Sequence, residues 1–413
     1  MARRSPVRLT LARQIFIGLV VGVLAGIFIH HHHDPPTALT MANVVKPFST
    51  IFLNLIKMVI APLIFATLVA GIAGAGHVKT VGRMGLRAVI YFEVVTTLAL
   101  LIGLVTVNLV RPGEGVALAA KPADVAAAGQ TWDQILVHAI PTSVVDAMAR
   151  GDVLQIVVFS IIFAIALGML GAKGQPVVQL CEAIAETMFK FTNIIMYYAP
   201  VGVAAAMTYT VGTGGLNTLL GLGRLVGTLY LALAVFYLAV LVPVVWVFRI
   251  PLGRFVRAVR EPALIAFSTT SSEAALPRAM EVMEDLGCPR RIVAFVLPLG
   301  YTFNLDGSTL YLSMASIFVA QAAGVHLGVG QQITMMLTLM LTSKGVAGVP
   351  RSALVILTGT LATYGLPLEG VTTILGVDTL MDMGRTITNV VGNCVATAVV
   401  SKWEGEFRPP ADR

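Results

Sequence analysis

Residues 228–248 read TLYLALAVFYLAVLVPVVWVF, a run of 21 residues without a single charge. Few folds can house it. About 20 apolar residues in a helix cross the hydrocarbon of a bilayer, and a backbone in lipid must satisfy its own hydrogen bonds. IFIGLVVGVLAGIFI at 15–29 and VLQIVVFSIIFAIALGML at 153–170 repeat the pattern. Only 12% of the chain is charged, against about 25% in soluble domains, and its mean hydropathy is +0.86. An all-α polytopic membrane protein follows.

The first run lacks a clear signal-peptide cleavage site, and HHHHDPP (30–36) after it reads as a polar extracytoplasmic loop in preference to a metal site. Cys181, Cys288 and Cys394 are too widely spaced for a disulfide framework or a metal cluster. The net charge of +7 bears on topology, not on nucleic acid.

Lys and Arg set the orientation. The N-terminal MARRSPVRLTLAR, the connection with Lys79, Arg83 and Arg87, RIPLGRFVRAVR (249–260) and PRR (289–291) are basic, whereas 30–43 and 321–334 hold no Lys or Arg. Both termini are expected in the cytoplasm, with eight spans near 11–30, 44–74, 84–110, 152–171, 182–212, 222–248, 292–322 and 370–401. Two further segments are too broken to span and too apolar to be loops. Residues 254–285 contain AFSTTSSEAALP, and residues 330–366 contain LTSKGVAGVPRSA. Irregular backbone at membrane depth survives only where it lines a cavity or is buried in protein. They enter from opposite faces, and such an inverted pair points to the binding site of a secondary transporter.

The densest chemistry lies in DTLMDMGRTITNVVGN (378–393). Asp378, Asp382, Arg385, Asn389 and Asn393 follow at spacings of 4, 3, 4 and 4, which puts all five on one face of a helix. An arginine inside a membrane costs at least about 2.5 kcal/mol and persists where something anionic needs it. Its fork suits a carboxylate, and an acid one turn away is placed to receive an ammonium group. The plainer alternative is that Asp378 and Asp382 serve Arg385 structurally. In GYTFNLDGSTLY (300–311), Asn304 and Asp306 supply hard oxygens for a small cation or a proton, beside a glycine that permits unwinding. Glu93 within the third span and Glu273 at the first hairpin are candidate proton carriers. A structural role for Glu93 competes with that, and Lys57 is expected to snorkel or pair.

Other classes fit less well. A serine hydrolase would need a histidine beside its nucleophile inside a span, and KGVAGVP lacks the ending of a nucleotide-binding loop. An intramembrane aspartyl protease leaves Arg385 unexplained, while a channel stays open, since polar stripes also line pores. No cofactor or enzymatic activity is expected.

With these motifs assembled, the chain closely resembles the dicarboxylate/amino acid:cation symporter family over roughly residues 8–405, nearest its proton-coupled bacterial glutamate carriers. STTSSEAALP, FNLDGSTLY, TSKGVAGVP and GVDTLMDMGRTITNVVGN carry the likeness in order, with FLNLIKMVIAPLIF in the second span. The resemblance implies a homotrimer in a bacterial inner membrane and elevator-type movement. Spans one, two, four and five (1–80 and 143–221) would form a scaffold. The transport domain would comprise 81–142 and 222–402, with both hairpins, followed by a tail at 403–413.

By the same resemblance, Arg385 would bind the side-chain carboxylate of the substrate and Asp382 its amino group. Ser308, Thr386 and Asn389 would add polar contacts. Ser271, Ser272, Gly348, Val349 and Pro350 would close over the ligand, with Asp378 behind Arg385. Family members that carry C4-dicarboxylates have Ser in place of Asp382, so glutamate or aspartate is favoured over succinate. Sodium-driven members have Asp where this chain has Asn393, and Tyr and Thr at the positions of Phe92 and Val95. Potassium-coupled members carry a further arginine where Thr270 or Met383 stands. Proton symport without potassium antiport is the expectation, with a residual sodium site at Asn304 and Asp306 as the alternative. Arg351 replaces the glycine usual after GVP.

Overall fold

The computed structural model describes residues 11–73, 78–116, 137, 140–343 and 352–408, and all regular structure there is helical. Helix α1 (Leu11–His32) is followed after two residues by α2 (Pro35–Ala73). The histidine run is therefore the last turn of a helix and a corner, not the loop expected over 30–43. Proline explains the early restart: its fixed φ and missing N–H cost nothing at the first helical position. The chain continues through α3 (Val78–Val110), α4 (Val144–Arg150), α5 (Val153–Leu170) and α6 (Gln175–Met196).

Next comes α7 (Ala199–Phe236), which is two helices meeting at Gly215, where φ is 63° and ψ is −160°. The ring of His30 covers the position that a Cβ would take there, and its Nδ1 lies 3.2 Å from the carbonyl of Gly212. The stretch between the expected spans 182–212 and 222–248 is thus helical, broken only by the positive φ of Gly215. The fifth span begins at Gln175 and is stepped at Tyr197 and Tyr198, just before Pro200. A π turn at Tyr237–Leu241 joins α7 to α8 (Val242–Val247). Pro243 cannot donate to the carbonyl four residues back, and the widened turn accommodates that loss.

Both interrupted segments form helix pairs. Helices α9 (Leu252–Thr269) and α10 (Ser272–Asp285) turn at Thr270 and Ser271. They run antiparallel, with Arg278 Nη2 reaching back to Glu261 Oε2 at 2.7 Å. Helices α13 (Val329–Thr342) and α14 (Ser352–Thr363) form the other pair. Between the pairs, α11 (Arg290–Phe303) and α12 (Asp306–Ala322) follow one another, interrupted only at Asn304 and Leu305. The last helix is α15 (Glu369–Trp403).

Four described helical stretches are long and apolar enough to cross a bilayer on length and composition: Gln14–His32, Met84–Val110, Gln155–Met188 and Leu219–Val247.

Two packing groups emerge. Helices α1, α2, α5, α6 and the first half of α7 lie together. In that group Gly18, Gly22 and Gly26 bring α1 onto the backbone of α7, where a Cβ would collide with Pro200, Ala204 and Val211. Small residues at four-residue spacing are how membrane helices gain close contact, since lipid offers no hydrophobic drive between helices. In the second group α15 touches α9, α10, α11 and α12, and α3 packs along α12. From Asp306 to Ala320 every side chain of α12 is buried. The groups meet where α15 crosses α7, with the thioether of Met207 filling the notch at Gly376, and again where α14 touches α2 and α5 and α13 touches α5.

The tail is more than an exposed end. Arg87 Nη1 pairs with Glu404 Oε1 at 2.8 Å, Arg291 pairs with Glu406, and the Arg408 N–H donates to the carbonyl of Gly287 at 2.9 Å. Trp403 packs edge-on to Tyr91 and Phe248.

Candidate functional site

The polar stripe of α15 is real and faces inward: Asp378, Asp382, Arg385, Asn389 and Asn393 are all buried. Arg385 is 0% exposed. Its Nη2 donates to Asp382 Oδ1 at 2.6 Å and lies 3.2 Å from Asp378 Oδ1. The guanidinium sits 4.0 Å from the centre of the Tyr311 ring. One nitrogen therefore meets both acids, and an aromatic face supports the planar cation. Nε and Nη1 of Arg385 have no hydrogen-bond partner among the described residues. A buried donor left unsatisfied costs about 1–3 kcal/mol, more when charged. Such donors are suited to an incoming carboxylate.

Asn389 and Ser308 come together as well, though partly with each other. Asn389 Oδ1 accepts the backbone N–H groups of Gly307 at 2.9 Å and Ser308 at 3.2 Å, while its Nδ2 donates to Ser308 Oγ at 3.0 Å. Asn389 caps the first turn of α12, whose N–H groups would otherwise be orphaned. Thr386 is buried beside Arg385 on the same helix.

One turn further along α15 lies a second polar cluster. Asn304 Nδ2 donates to Asp306 Oδ2 and to Asn393 Oδ1, both at 3.1 Å, and Thr96 Oγ1 donates to Asn304 Oδ1 at 3.5 Å. All four residues are buried. Close approach requires glycine here, because a Cβ at Gly392 would overlap Asp306 Oδ2. Asn393 Nδ2 has no hydrogen-bond partner among the described residues. Phe92 and Val95 are buried on α3 without a polar atom to offer, so Thr96 supplies the hydroxyl. Among the described residues no group of three or more His, Cys, Asp or Glu side chains could hold a metal ion.

The remaining predicted residues stand apart. Ser271 caps α10, its Oγ accepting the N–H of Ala274 at 3.3 Å, and Ser272 is buried. Thr270 turns the chain with φ at 53°. Glu273 is exposed in the first turn of α10. Glu93 is half-buried on α3, one turn before Thr97, whose hydroxyl faces Met340 Sδ of α13 at 3.5 Å. Gly348, Val349, Pro350 and Arg351 lie outside the described residues, and nothing is described of the Lys57 side chain.

Tyr311 and Thr96 are the site residues that sequence reasoning missed. Tyr311 follows Ser308 by three positions in a motif already singled out, so helical spacing alone marks it as a neighbour of the stripe.

Comparison with known proteins gives a consistent result. Residues 11–403 match the pattern of a family described as the sodium:dicarboxylate symporter family. A proton/sodium-glutamate symport protein of Bacillus subtilis (strain 168) is 42% identical over 412 residues, 98% of this chain and 95% of the relative. A proton/glutamate-aspartate symporter of Escherichia coli (strain K12) is 42% identical over 413 residues, 97% of this chain and 94% of the relative. A C4-dicarboxylate transport protein of Pseudomonas savastanoi pv. phaseolicola is 44% identical over 416 residues, 98% of this chain and 88% of the relative.

Proposed function

The chain belongs to the sodium:dicarboxylate symporter family, and we propose that it imports acidic amino acids, L-glutamate or L-aspartate, by proton symport. The observation that carries the substrate assignment is the placement of Asp382 against Arg385, Nη2 to Oδ1 at 2.6 Å, with two donors of the arginine still unbonded. A zwitterionic acid complements that pair: its side-chain carboxylate meets Nε and Nη1, and its ammonium meets the carboxylate of Asp382. A ligand without an ammonium would leave two buried acids, Asp378 and Asp382, facing Arg385 alone in a dry site.

The coupling ion is the proton in this reading. Asn393 is neutral where a strong cation site would gain from an acid, and Phe92 and Val95 offer no ligand atoms on α3. Glu93 and Glu273 are the acids placed to carry protons. Their positions support this: Glu93 is half-buried on α3, three residues before Thr96 of the Asn304 cluster, and Glu273 lies in the first turn of α10.

Movement completes the proposal. Three copies assemble in a bacterial inner membrane, each with eight spans, two inverted hairpins and both termini in the cytoplasm. In each, α3 and α8–α15 with the second half of α7 move as one body against the group containing α1 and α2. Hairpin α9–α10 closes one side of the site and hairpin α13–α14 the other. The packing of α1, α2, α5 and α6 with the first half of α7, and of α3 and α9–α12 around α15, supports this division.

A second reading has its own support. The C4-dicarboxylate transport protein is 44% identical to this chain, and the open donors of Arg385 would accept succinate as readily as glutamate.

Uptake of labelled L-glutamate into proteoliposomes, under imposed inward proton or sodium gradients and with succinate as competitor, separates these. Accumulation driven by protons alone and weakly inhibited by succinate is the expected result. Strong competition by succinate would move the assignment to C4-dicarboxylates, and dependence on sodium would return the ion to Asn304 and Asp306.

A further inference from the structure

A groove of about 350 Å³ opens on the far side of α15 from the substrate stripe. Ile387, Val391 and Val395 form its floor, and their offset of two residues from Arg385, Asn389 and Asn393 places them on the opposite helix face. The π turn and α8 make one wall, with Leu241 and Val245, and α9 makes the other. The lining of α9 runs from Leu252 to Leu264, about 18 Å of helix at 1.5 Å per residue. Leu252, Val256 and Leu264 are 45–56% exposed, so the groove opens outward on the surface.

The single charged residue in the lining is Arg260. It is exposed and has no ion pair among the described residues, while its neighbour Glu261 is taken by Arg278. Arg257, also exposed, lies one turn earlier on the same helix. An apolar trough with one unneutralised guanidinium in its wall, between Val259 and Ala263, complements a molecule with a hydrocarbon chain and an anionic head. Guanidinium binds phosphate through paired N–H donors, and basic side chains beside a bilayer attract its acidic lipids.

We infer that this groove is a binding site for one anionic phospholipid, its acyl chain along α9 and its phosphate on Arg260. The chain then fills the space behind the helix that carries the substrate stripe. The π turn creates the room, because a regular α-helix through Tyr237–Leu241 would place its side chains on a different register. The site is independent of which acid the protein carries.

Native mass spectrometry of the full chain, titrated with phosphatidylglycerol or phosphatidylcholine, tests the inference. Arg260→Gln is expected to weaken phosphatidylglycerol binding about fivefold, the weight of one basic side chain near an acidic surface. Phosphatidylcholine binding should not change, and Arg260→Lys should retain most of the effect. Val256→Trp, which fills the trough from an exposed position, should abolish the event in a protein that still unfolds at the wild-type temperature. Equal phosphatidylglycerol binding by wild type and Arg260→Gln overturns the site. Full retention in Val256→Trp overturns it too, since the lipid would then lie elsewhere. Displacement of the lipid by inorganic phosphate alone at similar concentration would show an anion site with no role for the groove.

Discussion

Replacing Asp382 by Ser should invert the preference between glutamate and succinate. In the proposed complex the ammonium of glutamate meets Asp382, a charge-assisted hydrogen bond in a buried site. Such bonds contribute about 1.5–3 kcal/mol, and each 1.4 kcal/mol is tenfold in affinity. Glutamate affinity should therefore fall about 10- to 150-fold in Asp382→Ser. Succinate should bind better than in wild type, because Asp378 and Asp382 together outnumber Arg385 and the substitution removes that surplus negative charge. Stability is a separate matter. Removing one partner of a buried ion pair costs about 3–5 kcal/mol, but Asp378 remains 3.2 Å from Nη2, so the loss should sit below that range. The assay is competition for labelled glutamate and labelled succinate in proteoliposomes, with thermal unfolding in detergent as the fold control. An unchanged ratio in a stable variant would refute the pairing of Asp382 with the ammonium and leave it as structural support for Arg385.

Asn393→Asp keeps an acceptor for Asn304 Nδ2 and adds a charge beside Asp306, so sodium-stimulated uptake should appear; no response to sodium would mean the cluster cannot form a cation site by charge alone. Gly392→Ala forces a Cβ onto Asp306 Oδ2, and overpacking of this kind costs about 1–3 kcal/mol, which should lower the unfolding temperature and uptake together. Glu404→Gln should destabilise more than Glu406→Gln. The side chain of Glu404 is 6% exposed and that of Glu406 is 36%, and exposed ion pairs contribute about 0–1 kcal/mol; equal melting curves for the two would undo that ranking.

Much of the architecture was legible because lipid narrows the choices. Apolar length places spans near 11–30, 84–110 and 152–171, and the structure has helices at Leu11–His32, Val78–Val110 and Val153–Leu170. The interruptions were legible too, since Asn304 and Ser271 cannot sit in hydrocarbon without purpose. Breaks made by backbone alone were hidden. Gly215 sits among TVGTGGLNT, where several glycines are equal candidates and only the ring of His30 selects one. The π turn lies in the smoothest apolar run of the chain, marked only by Pro243. At the site, spacing on α15 identified the stripe correctly because a helix repeats its faces. It could not reveal that Asn389 spends its amide on the first turn of α12. That pairing depends on how two helices 80 residues apart meet, and no local pattern records it. The strap at 404–408 was equally silent, being a few polar residues after the last span.

The glycines of α1 have a consequence for motion. Gly18, Gly22 and Gly26 set backbone against backbone along α7, and two surfaces meshed in that way behave as a zipper: a slip of one residue would drive Cα atoms into carbonyls along the whole length. The notch at Gly376 is filled differently, by the flexible thioether of Met207. Methionine changes rotamer cheaply and suits irregular gaps, so that joint can be emptied and refilled as its two sides pass. In the proposed movement the α1–α7 seam would therefore stay fixed, and the crossing of α15 and α7 would be a place where the packing can give.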